Sequence, residues 1–176
     1  NLIPYAAIPI YGMSADNIRD HRNVTSMLHR IRTDSYGILV RPTMSFDERG
    51  HLPNTKIYYV YGCSGNGQNP ESFYPTVENF LGEGGTYTHP RAIYENFSGV
   101  PSGSSAAGKE AMGAFRFPEL KLSPGGKAEY ILLLGVEDNE ADISRIFEKY
   151  NTPDKVRNAL EATKSWWKEK VNTGFH

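Results

Sequence analysis

The chain has 176 residues, enough for one domain with a real core, since a chain of this size buries roughly 70% of the surface its unfolded form exposes. Its 19 Lys and Arg balance 20 Asp and Glu for a formal net charge of −1, and 39% of residues are apolar; this argues against a polyanion binder, which carries a basic excess, and against a disordered chain. The single cysteine, Cys63, excludes a disulfide framework and any cysteine-based zinc site, and no apolar run reaches the length of a membrane span.

Seventeen Gly, 11 Pro and 11 Tyr point toward a turn-rich, β-rich fold. The chain opens Asn1-Leu2-Ile3-Pro4 without an initiator Met, which reads as a piece of a longer polypeptide. Residues 1–12, with prolines at 4 and 9, fit an edge strand or an extended leading segment. Residues 13–23 form a charged knot with no clear period. Residues 24–33 and 36–47 read as strands, the second at an edge or bulged because Pro42 lacks an N–H. Glu48–His51 is a turn. Residues 55–63, TKIYYVYGC, are the strongest strand.

A Gly/Asn loop follows over 64–70. Residues 71–82 hold a short helix after Pro75, ended by Gly82. Residues 98–113 read as a surface loop. Phe115–Leu122 and Ala128–Val136 read as two strands of a hairpin closed by Ser123-Pro124-Gly125-Gly126-Lys127. The run YILLLGV is apolar on both faces, which places it in the middle of a sheet. The period then changes. Residues 139–150 and 153–171 are amphipathic helices, the second started by Thr152 as cap and Pro153 at the first helical position. Val156, Leu160, Thr163, Trp167 and Val171 form its stripe. Eight acids and seven bases between Glu137 and Lys170 mark a balanced, solvated face. Strands followed by a helical pair make a β-sandwich with a helical tail, not a βαβ domain.

The densest polar cluster is Asp16–Arg22, in which Arg19, Asp20, His21 and Arg22 can build a bidentate hydrogen-bond network. It reads either as a sugar-facing patch or, more simply, as an ion-pair knot fixing the approach to the next strand. Asp47 and Glu48 are adjacent, so on a strand they point to opposite faces; they are not the carboxylate pair a glycosidase sets about 5–10 Å apart across a sugar. The five histidines include no HxH, HxxxH or HExxH spacing. The GCSGNG and GEGG segments lack the Lys-Ser/Thr of a phosphate loop, and no Ser sits in a GxSxG elbow. Tyr58, Tyr59 and Tyr61 offer a carbohydrate platform or, as the simpler reading, core. Trp166 and Trp167 lie about 100° apart on a helix, so one seals the sandwich and the other a neighbouring domain. Asn23-Val24-Thr25 and Asn96-Phe97-Ser98 match the glycosylation sequon, which matters only in a secretory setting.

The strings SADNIRDHRNVTSMLHRIRT (14–33) and VRPTMSFDERGH (40–51), with NFLGEGG (79–85), HPRAIYEN (89–96), AEYILLLGVEDNEADISRIFEKY (128–150) and the Trp-Trp helix, resemble the β-sandwich region of glycoside hydrolase family ninety-four, and most of all its β-1,2-glucan-acting members. Met13 and Asn23 depart from that pattern, which has Arg and His there, so no charge contact is assigned to position 13. The resemblance spans nearly the whole chain in order. It implies a mainly β fold: an antiparallel β-sandwich over 1–137, a portion of a galactose-mutarotase-like super-sandwich incomplete at its N-terminus. Two linker α-helices over 138–176 would then lead toward an (α/α)6 catalytic barrel.

The family reaction is inverting phosphorolysis. Inorganic phosphate is the co-substrate, one protein carboxyl acts as the acid, and no metal or organic cofactor is used. The catalytic residues belong to the barrel, so none is assigned here. Arg19, Asp20, His21, Arg22 and Asp47 are the expected contacts at the rim of the sugar cleft. The implied partners are the barrel of the same polypeptide, a β-1,2-linked gluco-oligosaccharide and a second copy in a homodimer. Nucleic acid and membrane are excluded, and a bacterial, cytoplasmic setting is expected. Two other readings stand beside this one. A freestanding carbohydrate-binding module would use the Tyr58–Tyr61 strand, and a self-sufficient glycosidase would need a spaced carboxylate pair.

Overall fold

The structure, a computed structural model, describes residues 1–10, 24–47 and 50–173. Its strands are β1 (Tyr5–Pro9), β2 (His29–Thr33), β3 (Gly37–Pro42), β4 (Met44–Asp47), β5 (Gly50–Pro53), β6 (Ile57–Ser64), β7 (Ser72–Thr76), β8 (Ser105–Ala107), β9 (Ala111–Arg116) and β10 (Tyr130–Glu137). Its helices are α1 (Val77–Leu81), α2 (Arg91–Tyr94), α3 (Glu140–Tyr150) and α4 (Pro153–Thr173). All pairing between strands is antiparallel, in a five-stranded sheet β10-β6-β3-β2-β8, a three-stranded sheet β1-β9-β7 and the hairpin β4-β5. The mainly β reading holds, with the two C-terminal helices in place.

The two larger sheets face one another. Ile31, Ile38 and Val40 with Val60 from one meet Ala6, Phe73, Ala111 and Phe115 from the other in a continuous apolar core. Alternation along β6 and β9 decides what lies on each side. On β6, Ile57, Tyr59, Tyr61 and Cys63 turn away from the sandwich and pack under α3 with Ile143 and Phe147. On β9, Met112 and Ala114 turn outward under Phe80 of α1 and Ala92 of α2. The fold is thus four layers deep.

The sheets approach closely where glycine stands opposite a large residue. A Cβ on Gly62 would lie 2.6 Å from the Phe115 ring, and one on Gly113 would lie 2.5 Å from Val60 Cγ2. Phe115 has no exposed surface and meets Phe73 and Phe117 edge-on.

Several expectations are corrected. Residues 24–27 are helical, closed by the Leu28 N–H on the Thr25 carbonyl at 3.1 Å. The strand begins at His29, where buried His29, Ile31 and Thr33 alternate with exposed Arg30 and Arg32. Ser72–Thr76 is a strand as well as the lead into α1; Pro75 falls at a break in register between Tyr74 and Thr76, where its missing N–H costs no ladder bond. The 98–113 stretch is not all loop. Ser105–Ala107 pairs with β2, and Thr33 Oγ1 fixes the approach by donating to the Pro101 carbonyl at 2.9 Å.

The expected hairpin of 115–136 does not form. The turn exists, with the Gly126 N–H on the Ser123 carbonyl at 2.8 Å and Gly125 at φ 78°, but β9 and β10 belong to different sheets. Nor is β10 central. It is an edge strand, and Leu132, Leu134 and Val136 are exposed.

His29 is 3% exposed, and neither ring nitrogen has a hydrogen-bond partner among the described residues. Burial lowers its pKa; the backbone of Lys109 and the Glu110 carboxylate act in the other direction without offsetting it. The folded chain therefore prefers the neutral ring, and the unfolded chain takes up the proton first. Stability is full above about pH 6.5 and falls as pH drops below that value toward the lowered folded pKa, by at most about 1.4 kcal/mol per pH unit. Urea denaturation between pH 7.5 and 5 is expected to show this decline in the native chain and a flatter profile in His29→Leu.

Candidate functional site

The C-terminal helices start on signals plain in the residues. Asn139 caps α3, its side chain accepting the Asp142 N–H at 2.9 Å. Glu140 in the first turn bridges two strands, taking Arg32 Nη2 and Arg41 Nη2 at 2.6 Å each. Partial burial pushes its carboxyl up, but the hydrogen bonds from Arg41 and Arg32 outweigh that and hold it below the usual range. Ile143 and Phe147 then seal α3 onto the five-stranded sheet, with Phe147 edge-on to Tyr61.

The Tyr61 hydroxyl donates to Asp34 in a short hydrogen bond, and burial drives its pKa far upward. Tyr59 is buried beside it. These two tyrosines are core, packed with Ile143 and Phe147, and their rings are not open to a sugar. Burial likewise pushes the Cys63 thiol up, away from the thiolate a nucleophile needs.

Helix α4 behaves differently. Thr152 accepts the Lys155 N–H at 3.4 Å on Oγ1, and Pro153 occupies the first turn. Arg157 reaches back to Glu129 at 2.7 Å, and Lys155 Nζ holds the Glu148 carbonyl at 2.6 Å. Beyond this turn every described side chain from Leu160 to Val171 is exposed. Val156, Leu160, Trp167 and Val171 keep the apolar stripe their spacing sets, with Trp166 alongside. Trp166 and Trp167 meet edge-on at 4.9 Å and are 50% and 57% exposed, so neither seals the sandwich, contrary to expectation. An amphipathic helix with its apolar stripe in water has the form of a docking element.

The rim residues fare unevenly. Arg19, Asp20, His21 and Arg22 lie outside the described residues. Asp47 ends β4 opposite Gly50 in the β4-β5 hairpin. Of the turn expected at 48–51, Gly50, at φ 115°, and His51 belong to β5, and Glu48 and Arg49 lie outside the described residues. The Asn96 side chain is already engaged, accepting from Tyr5 and Arg116 at 2.9 and 3.0 Å.

Three carboxyl groups among the described residues are displaced, all downward. Lys109 holds Glu78, Arg91 holds Glu95, and the arginine pair holds Glu140. A general acid needs the opposite displacement. No helix among the described residues is long and apolar enough to cross a membrane.

The stripe of α4 follows from the spacing of its residues, whereas α3 spends its apolar face on its own sheet. No curated protein matches the chain. The model of the Glycosyl hydrolase 94 supersandwich domain matches residues 3–153, from the leading segment through both sheets and α3 to the first residue of α4, and the chain therefore belongs to glycosyl hydrolase family 94.

Proposed function

We propose that this chain is the non-catalytic sandwich of an inverting phosphorylase that cleaves β-1,2-linked gluco-oligosaccharides with inorganic phosphate, releasing α-glucose 1-phosphate. Within the family it would resemble 1,2-β-oligoglucan phosphorylase and cyclic β-1,2-glucan synthase. The sandwich supports a catalytic (α/α)6 barrel of the same polypeptide and lends loops to the rim of its sugar cleft, through Arg19, Asp20, His21, Arg22 and Asp47.

The observation that carries this reading is α4. It leaves the sandwich at Arg157 and carries an uncovered apolar stripe, whereas α3 is fully committed to the sheet. Membership in the family supports a barrel as the partner that such a stripe would meet.

Titration calorimetry of the chain with sophorose-type oligosaccharides tests the reading. Heat too small to fit at micromolar protein is expected. Micromolar binding would instead make the chain a freestanding carbohydrate-binding module.

A further inference from the structure

The crossover from β9 to β10 roofs a partly enclosed cavity of about 420 Å³ between the 64–68 turn and residues 120–130. We propose that this cavity is an auxiliary, non-catalytic binding site for a short neutral gluco-oligosaccharide. The inference rests on the reading above for the identity of the sugar, and on the cavity itself for the site.

The volume lies within the range of about 300–1,000 Å³ typical of small-ligand pockets. Asn66, Gln68, Lys121, Lys127, Glu129 and Tyr130 are among its lining. Amide, ammonium and carboxylate groups stand there together with one aromatic ring. An anion site concentrates donors of one sign, whereas this lining offers both donors and acceptors, as the hydroxyls of a neutral polyol require. The Tyr130 ring, packed on Phe117 at 4.6 Å, supplies an apolar surface with a polar tip for the C–H face of a sugar.

The walls are already fixed. Ser64 Oγ donates to Asn66 Oδ1 at 2.6 Å and accepts the Gln68 N–H at 2.8 Å. The Gly65 N–H holds the Glu129 carbonyl at 2.7 Å, and Arg157 holds the Glu129 carboxylate at 2.7 Å. With its oxygen taken, Asn66 keeps two amide donors to offer. Lys121 and Lys127 form no ion pair among the described residues, and the Gln68 side chain forms no hydrogen bond among them. A preformed pocket with unspent polar groups avoids part of the ordering cost of binding. Through Arg157 the site adjoins the first turn of α4, the side on which the barrel would dock.

The test is a heteronuclear NMR titration of the whole chain with sophorose up to tens of millimolar, with inorganic phosphate as a second arm. Shifts confined to residues 64–68 and 120–130 are expected with sophorose. Gln68→Ala and Lys127→Ala should each weaken the sugar at least about tenfold, a loss of about 1.4 kcal/mol. Gln68 serves the turn through its backbone alone, so its truncation leaves the wall in place. The proposal is overturned by silence at those residues, by shifts that both variants retain, or by shifts with phosphate and none with sugar. Silence would leave the scaffold reading standing. Micromolar affinity at this pocket would keep the site and overturn the scaffold reading.

Discussion

Replacing Phe115 by alanine is expected to cost the chain about 3–5 kcal/mol, the usual loss for a large aromatic removed from a packed interior. Few small domains have more than about 5–15 kcal/mol in all. The ring fills the slot between the sheets, fully buried, with Phe73 and Phe117 around it and Gly62 directly opposite. The glycine is part of the same fit. A valine at position 62 would drive its Cβ to 2.6 Å from the ring, inside any real contact, and is expected to cost about 1–3 kcal/mol or more.

The two effects should not add. With Phe115 already cut to alanine, the Gly62→Val side chain enters the vacated space. The double variant should therefore be more stable than the sum of its parts by about 0.5–3 kcal/mol. Chemical denaturation of the four members of this cycle reads the coupling directly. Additive losses would mean that the sheets do not interlock at this point.

The second large effect divides the two C-terminal helices. Phe147→Ala, on α3, should cost about 3–5 kcal/mol, because Phe147 lies buried against Tyr36 and Tyr61. Leu160→Ala, Trp167→Ala and Val171→Ala, on α4, should each shift the stability of the chain by no more than about 0.5 kcal/mol, since all three stand in water. On the proposed reading, their cost appears when the barrel is present. A buried tryptophan at the heart of an interface is worth about 2 kcal/mol or more, so Trp167→Ala should weaken docking of the chain to the barrel, supplied as a separate polypeptide, about thirtyfold. Pull-down titration measures the docking and thermal denaturation measures the chain. A large loss in the isolated chain from any α4 variant would show that the helix folds back on its own core.

The elements whose local chemistry decides them were legible in the residues. Tyr-rich β6, the Thr152-Pro153 start of α4 and the Gly82 stop of α1 are each set by a neighbour or two in sequence. What a strand pairs with is not local. Pro124, Gly125 and Gly126 fix a turn, but they do not say whether the chain returns to the same sheet, and here it crosses to the other. The apolar run of β10 marked both faces as water-averse, yet the strand lies at the sheet's edge and Leu132 and Leu134 remain exposed. Pro75 signalled a helix start and concealed the bulged strand before it.

For the candidate site, the stripe of α4 was readable from its spacing, whereas which helix would be free for a partner depended on Tyr59 and Tyr61 lying on the same side of their sheet as α3. The cavity beside Gln68 had no signal in the sequence at all, because its two walls lie more than fifty residues apart and meet only through the sheet crossover.

The central claim is that this chain holds a phosphorylase together without carrying its reaction. Formation of α-glucose 1-phosphate from β-1,2-gluco-oligosaccharide and phosphate by the purified chain alone measures it most directly. No α-glucose 1-phosphate above the uncatalysed background is predicted with phosphate, and no release of reducing sugar without it; turnover by the isolated chain in either case would contradict the account.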